Sequence, residues 1–310
     1  MNLLVTGASG FIGKNFLLSV KKEWEVLATY WKSIHFPDFL AHQKLNHVVP
    51  LRVDLSAMDE IDKIAAIARD FDCCVYLAAN GDPAVSVNRP AFDLVSNTLT
   101  LVNLLEKIRF GTVIYFSSGA VYDGLKGGVS PKVMVTPKLP YAISNLASES
   151  YLKHFQSTKQ SQQVFVVRFF GAYGPYEPPR KIYSRLVKRF GFERNPQFTI
   201  RGDGQNRIDA MYIDDAIRAI WMLLERSEPS ATFDLYSGQA LTLTQLVIKA
   251  ATLFHLEPEI TYEGNVPEYI EFYSRDRYFF ERYGFTPAVT LEEGLMRLYT
   301  YLQKSPGQGS

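Results

Sequence analysis

The sequence predicts an α/β protein in which a doubly wound parallel sheet carries a smaller, discontinuous α/β unit. Three observations carry that expectation. Short apolar runs alternate with longer segments of helical periodicity through the first half of the chain, the pattern of a parallel sheet covered by helices on both faces. A glycine-rich stretch, Gly7 to Gly13, follows the first apolar run directly. The composition is that of an ordinary globular protein, with 47% hydrophobic and 21% charged residues among 310, so neither disorder nor a fibrous repeat fits.

Strands are expected at Asn2 to Thr6, Glu25 to Thr29, Val48 to Val53, Cys73 to Ala78, Thr112 to Ser117 and Val164 to Phe169. Helices fall near Phe11 to Lys21, Asp59 to Arg69, Ala91 to Ile108 and Tyr141 to Gln156, each long enough for the crossover that parallel strands require. Beyond Gly174 the prolines Pro175, Pro178 and Pro179 break the pattern, and an aromatic, arginine-rich region follows. From Ile208 to Tyr236 the first pattern returns, with a helix from near Asp214 and a strand at Thr232 to Leu235. This assigns 1–175 and 208–240 to the sheet domain, and 176–207 and 241–310 to a second unit. The tail, Ser305 to Ser310, is polar and glycine-containing, which suits a frayed end.

Thirty-three basic residues against 32 acidic ones leave a net charge of +1, too weak a field to argue for nucleic acid or an anionic membrane surface as partner. Cys73 and Cys74 are adjacent and cannot staple distant segments, which fits a reducing compartment. The chain reaches a glycine by position 7, leaving no room for a secretion leader. Its apolar runs, such as Val164 to Val167, fall far short of the roughly 20 residues that cross a bilayer. A soluble, cytoplasmic protein is expected.

Thr6-Gly7-Ala8-Ser9-Gly10-Phe11-Ile12-Gly13 joins the first strand to the first helix with G-x-x-G-x-x-G spacing. In such a turn the first glycine permits the bend, the second lets a pyrophosphate approach backbone N–H groups, and the third lets helix and strand pack closely. Dinucleotide binding and a Rossmann-like sheet follow from that placement. The second strand ends Ala28-Thr29-Tyr30-Trp31-Lys32-Ser33, without the carboxylate that accepts from a ribose 2′-hydroxyl. Lys32 and the neighbouring hydroxyls suit a 2′-phosphate instead, favouring NADP over NAD, with Lys32 as a plain solvated charge the competing reading. Asp54, ending the third strand, either reaches the adenine amino group or caps a helix.

Ser117-Ser118-Gly119-Ala120-Val121-Tyr122 ends the fifth strand, and Tyr141 opens the next helix. With the glycine turn, these features resemble the extended short-chain dehydrogenase/reductase family, whose members mostly act on sugars attached to nucleotides. Tyr76-Leu77-Ala78-Ala79 looks like that family's fourth-strand motif. Arg168-Phe169-Phe170-Gly171-Ala172-Tyr173-Gly174-Pro175 resembles its sixth-strand motif, continued by Ile200 to Asp209 and the Asp214-Asp215 pair. The resemblance implies an NAD(P)-dependent nucleotide-sugar epimerase or 4-keto reductase, working as a homodimer paired through the helices at 91–108 and 141–156. It implies that Tyr141 exchanges a proton with the sugar oxygen while hydride moves at C4, and that Ser118 hydrogen-bonds the same oxygen. Its implied cofactor surface is Gly7, Ser9, Gly10, Phe11, Ile12, Gly13, Lys32, Asp54, Leu55, Leu77, Ala78, Ala79 and Asn97, with Tyr141 and Asn145.

One departure falls on the reacting residues. A tyrosine of ordinary pKa, about 10, is a poor base near neutrality, so the family places a lysine one helical turn later whose cation favours phenolate. Here that position is Asn145, which can hydrogen-bond a ribose hydroxyl but supplies no charge. Three readings stay open: a displaced cation such as Lys138 or Lys153, the oxidised nicotinamide's own charge, or a catalytically impaired protein that binds cofactor and sugar nucleotide. Lys153, twelve residues along the helix, is too distant at 1.5 Å rise per residue.

On the substrate side the resemblance gives the diphosphate to Arg207, whose guanidinium fork matches paired phosphate oxygens. Arg275 and Arg277 are weaker candidates. Gly171 stands beside the substrate phosphate where many relatives carry asparagine. Ser118-Gly119-Ala120 lacks both acidic residues of the family's 4,6-dehydratases, which disfavours dehydration. Missing acidity after the second strand leans towards NADPH-dependent reduction, and the Ser-Ser-Gly-Ala-Val-Tyr run leans towards 4-epimerisation. The histidines are scattered without ligand spacing, so no metal is expected.

Overall fold

The computed structural model describes residues 1–158, 161–226, 228–264 and 270–304; the tail expected to fray lies outside them. Seven parallel strands form the central sheet: β1 (Asn2–Thr6), β2 (Glu25–Tyr30), β3 (Val48–Arg52), β4 (Asp70–Tyr76), β5 (Arg109–Ser118), β6 (Ser161–Phe169) and β7 (Ala231–Leu235). Their order is β7-β6-β5-β4-β1-β2-β3. The order reverses at β1, which pairs with both β2 and β4, so the loops leaving β1 and β4 diverge and open a crevice at the carboxyl edge.

The interior strands are buried on both faces. Leu3, Leu4 and Val5 of β1 have no solvent exposure. Alternate residues of β4 enter different cores: Cys73 and Val75 pack with the helix after the glycine turn, Cys74 and Tyr76 with the opposite layer. Both cysteines are buried and unpaired, and burial pushes their thiols up. Pro50 sits in β3, an edge strand, where its missing N–H costs no ladder bond.

Several element bounds differ from expectation for local reasons. The first helix stops at Leu17, where the Ser19 hydroxyl donates to the Phe16 carbonyl and a turn leads towards Trp24. The expected helix Ala91 to Ile108 consists of Pro90–Leu94, a π turn at Val95–Leu99 and Thr100–Lys107. Two short helices, Phe36–His42 and Pro83–Asn88, begin at prolines that sequence periodicity had not resolved. The helix Pro140–Ser157 lies within one residue of its expected bounds at either end.

Beyond Gly174 come the helix Ile182–Leu186, the parallel pair Gln197–Arg201 with Glu259–Glu263, and the helices Leu243–Leu253 and Leu291–Lys304. Phe190, Phe254, Phe279 and Leu298, on or between these elements, join the same buried cluster as Leu3 and Val5. From the same part of the chain, Glu177, Arg180, Lys181, Arg207 and Phe272 line the crevice. Among the described residues no helix is long and apolar enough to cross a membrane.

Candidate functional site

At the end of β1 the backbone turns at Gly7 with φ +62°, and a Cβ there would lie 2.7 Å from the Leu77 carbonyl and the Ala78 nitrogen. A Cβ on Gly13 would meet the Ala8 oxygen at 2.6 Å. These two positions accept only glycine, the first for handedness and contact, the third for helix packing. At Gly10 an added Cβ would meet just the Gly7 oxygen, at 3.1 Å, and the rest of its surroundings is open crevice. The Thr6 hydroxyl oxygen accepts from the Leu77 and Ala78 N–H groups, locking the end of β4 against the turn.

The crevice has two connected parts that share Gly7, Gly10, Leu77 and Ala79. The first, about 460 Å³, is also lined by Ser9, Lys32, Asp54, Leu55 and Ala78. The second, about 610 Å³, is lined by Phe11, Ile12, Gly13, Ser118, Tyr141, Gly171 and Arg207. Nearly all residues assigned to cofactor and substrate from sequence therefore share one continuous groove. Its dimensions and its open glycine face suit an extended dinucleotide with a second ligand beside it.

Within the first part, the Lys32 ammonium stands 5.3 Å from the Phe92 ring centre, and Arg52 covers Trp31 at 4.9 Å. Asp54 lines the groove, and its Oδ1 accepts from the Ser56 N–H and hydroxyl in a local turn; it does not cap the following helix Met58–Ile67, whose N-cap is Ala57. Asn97 does not line either part. It is buried in the π turn, accepting from the Asn80 N–H at 2.6 Å and donating to Asp93 at 3.0 Å, and so braces the loop after β4.

Tyr141 enters the second part from the first turn of its helix, opened by Pro140, and its N–H donates to the Ser86 hydroxyl at 3.1 Å. Ser118 faces it across the same cavity, its Oγ accepting from the Ala120 N–H. Asn145, one turn on from Tyr141, is turned away. Its Nδ2 donates to the Tyr141 carbonyl at 2.8 Å, its Oδ1 accepts from the Tyr115 hydroxyl at 3.2 Å, and it does not line the cavity. Lys138 and Lys153 are exposed and line neither part. The cations that do line the second part are Arg180, Lys181 and Arg207; Arg180 pairs with Asp82, and Arg207 lies over Tyr273.

Sequence reasoning missed the buried polar layer behind Tyr141. Glu149, two helical turns beyond it, accepts from the Ser117 hydroxyl at 2.6 Å and pairs with Arg168 at 2.8 Å, both side chains almost wholly buried. Arg168 lies against the Tyr122 ring, whose hydroxyl donates to Asp234 at 2.7 Å. Ser274 donates to the other Asp234 oxygen at 2.6 Å. Burial pushes the Asp234 carboxyl up to about 7, against the opposing pull of those hydroxyls. A second carboxyl, Glu177, lines the substrate part and is also pushed up to about 7 by burial, with the Ser184 hydrogen bonds opposing. Tyr122 and Arg168 were legible as motif residues; Glu149, and the contacts Arg168 makes with both, were not.

Comparison with known proteins gives this geometry its family. The sequence pattern described as the NAD dependent epimerase/dehydratase family matches residues 3–236. The GDP-6-deoxy-D-mannose reductase of Pseudomonas aeruginosa is 28% identical over 268 residues, 83% of this chain and 82% of that protein. The UDP-glucose 4-epimerase of Thermotoga maritima, solved with UDP-glucose, superposes with a TM-score of 0.88 at 25% identity, covering 99% of this chain and 100% of that one. MoeE5, solved with UDP-glucuronic acid and NAD, superposes at 0.83 with 25% identity, covering 98% and 100%. The protein with this glycine turn and paired Ser118 and Tyr141 thus belongs to the NAD-dependent epimerase/dehydratase family of nucleotide-sugar enzymes.

Proposed function

We propose that the chain is an NAD(P)-dependent nucleotide-sugar enzyme acting at the sugar C4, as a 4-epimerase or a 4-keto reductase. The observation that carries this reading is that Ser118 and Tyr141 line one cavity, continuous with the open face of Gly10. In this reading the backbone around Gly7 to Gly13 holds the dinucleotide, with Leu77 to Ala79 along its other side. When bound, the nicotinamide supplies the hydride acceptor or donor. Tyr141 exchanges the proton at the C4 oxygen, Ser118 holds that oxygen by its hydroxyl, and Arg207 grips the diphosphate. Lys32, with no carboxylate at the end of β2, supports NADP over NAD.

A second reading rests on Asn145. Its amide is committed to Tyr141 and Tyr115, so no cation stands one helical turn from the phenol. That favours a slow enzyme or a protein that binds cofactor and sugar nucleotide without turnover. Exposed Leu94, Leu99, Ile143 and Tyr151 on the two long helices support pairing of two copies there. The deciding experiment incubates the purified protein with UDP-, GDP- and dTDP-hexoses and either nicotinamide cofactor. It follows C4 inversion by NMR and cofactor oxidation by absorbance. Turnover of any one supports the enzyme reading; binding of cofactor and sugar nucleotide without turnover leaves the second.

A further inference from the structure

Glu177 is a buried carboxyl whose two oxygens have different surroundings. The residue is 8% exposed. Its Oε2 accepts from the Ser184 N–H at 3.0 Å and from the Ser184 hydroxyl at 2.7 Å, bonds that fix the side chain at the start of the helix Ile182–Leu186. The hydrogen bonds Glu177 accepts from described residues go to Oε2, not Oε1, and the residue lines the cavity that holds Ser118 and Tyr141. Lys181 stands near enough to oppose the effect of burial on the carboxyl, but not enough to cancel it.

The anchoring bonds need only one acceptor oxygen. A glutamine would accept both Ser184 hydrogens through its carbonyl and present an amide donor to the cavity, without the cost of desolvating a charge. Glutamate and glutamine at this position therefore differ chiefly in what they show the ligand. The one shows an acceptor that carries charge, the other a neutral donor. An acceptor with no protein partner in a ligand cavity is completed by a donor on the ligand.

We propose that Glu177 reads the glycosyl group, its Oε1 accepting a hydrogen bond from a hydroxyl of a neutral sugar and turning away a sugar that carries a carboxylate. This rests on the nucleotide-sugar reading above and deepens it. Among the solved neighbours both classes of ligand occur, since MoeE5 was solved with UDP-glucose as well as with UDP-glucuronic acid. The inference selects the neutral class for this chain. Because a like charge opposite a buried carboxylate is strongly disfavoured, the discrimination is large when the group is ionised.

The test measures binding of UDP, GDP and dTDP to the natural protein, and of UDP-glucose, UDP-glucuronic acid and UDP to both the natural protein and Glu177→Gln, by calorimetry at about pH 8, where a carboxyl pushed up to about 7 is largely ionised. The expected natural preference for UDP-glucose over UDP-glucuronic acid is at least about tenfold, shrinking to within about threefold in the variant, with UDP bound equally by both proteins. A melting temperature in the variant no lower than that of the natural protein shows the Ser184 anchor intact, since the amide also removes the cost of burying a charge. Equal or tighter binding of the uronate by the natural protein overturns the proposal without need of the variant. So does a preference that survives Glu177→Gln, and so does an equal loss for UDP, which would place Oε1 on the nucleoside. Absence of binding for UDP, GDP and dTDP alike sinks the nucleotide-sugar reading itself, a distinct outcome that removes this proposal with it.

Discussion

The Tyr115 hydroxyl donates to Asn145 Oδ1 at 3.2 Å, joining β5, an interior strand of the sheet, to the helix that carries Tyr141. Both residues are buried, and burial pushes the Tyr115 phenol well above its ordinary range, so it acts as a neutral donor. Asn145 thus serves the interior. Asn145→Ala should remove one partner of that hydroxyl, with Ser148 remaining, and the amide bond to the Tyr141 carbonyl, lowering stability by about 1–3 kcal/mol, while turnover changes little because the amide does not reach the cavity. Asn145→Lys should restore a cation beside Tyr141 and raise turnover by about tenfold or more, equivalent to about 1.4 kcal/mol off the barrier. Denaturant melts and steady-state rates on both variants check this. Unchanged turnover in the lysine variant of an already fast enzyme would refute the need for that charge.

Ser117 and Ser118 are neighbours with opposite duties. Both residues line the cavity with Tyr141, but the Ser117 hydroxyl donates to the buried Glu149 while the Ser118 Oγ only accepts from the Ala120 N–H, leaving the Ser118 proton for a ligand. Ser117→Ala should cost about 1–3 kcal/mol by leaving the buried Glu149 with Arg168 alone. It should spare substrate binding. Ser118→Ala should lower turnover about 10²-fold, the lower end of what a positioned hydrogen bond to the reacting oxygen contributes. Its stability loss should be no more than that of a helix cap, about 0.5–2 kcal/mol. Paired melts and rate measurements separate the two; the opposite pattern would reverse the assignment.

The strands and the glycine turn were legible because each rests on local pattern, apolar runs for the strands and G-x-x-G-x-x-G where backbone contact with Leu77 excludes a side chain; the strand order was not, because pairing joins distant segments. Ser118, Tyr141 and Arg207 were legible as motif residues, and the structure brings them into one cavity. Asn145 was legible as a departure, but its orientation was not, because Tyr115 lies 30 residues away on another element. Asn97 was misleading for the same reason: its partner Asn80 comes from a different loop. Glu177 left no signal. Its significance comes from burial beside Ser184 and from the cavity, neither of which periodicity or spacing encodes.

Lys32 is exposed, close to the Phe92 ring, and lines the part of the crevice bounded by the ends of β2 and β3. Were it only a solvated charge, its removal would leave both cofactors equally bound. With a 2′-phosphate as its partner, Lys32→Ala should weaken NADPH by about tenfold, the 1.4 kcal/mol scale of one charge-assisted contact. NADH should change by less than about twofold on the same scale. Fluorescence titration of the reduced cofactors gives both constants. Equal losses would assign Lys32 to a phosphate common to the two.

Asp234 gives the fold a pH dependence of unusual sign. Its folded-state pKa, pushed to about 7 by burial, lies above the ordinary 3.8, so between those values the folded chain holds a proton that the unfolded chain has released. Stability from this group is therefore fully present below about pH 4 and declines as pH rises to about 7, after which the loss is complete. The whole loss across that window is about 4 kcal/mol. Exposed, paired carboxylates such as Asp70 beside Arg109 act in the opposite direction, so the wild-type curve alone mixes both. Asp234→Asn removes the titration and keeps partners for Tyr122 and Ser274, since an amide accepts one hydroxyl and donates to the other. The melting temperature of this variant minus that of the natural protein should rise steadily from pH 5 to pH 8, the variant being the more stable at the upper end. A flat difference would mean that Arg168, against the Tyr122 ring, already holds the Asp234 charge in the folded protein.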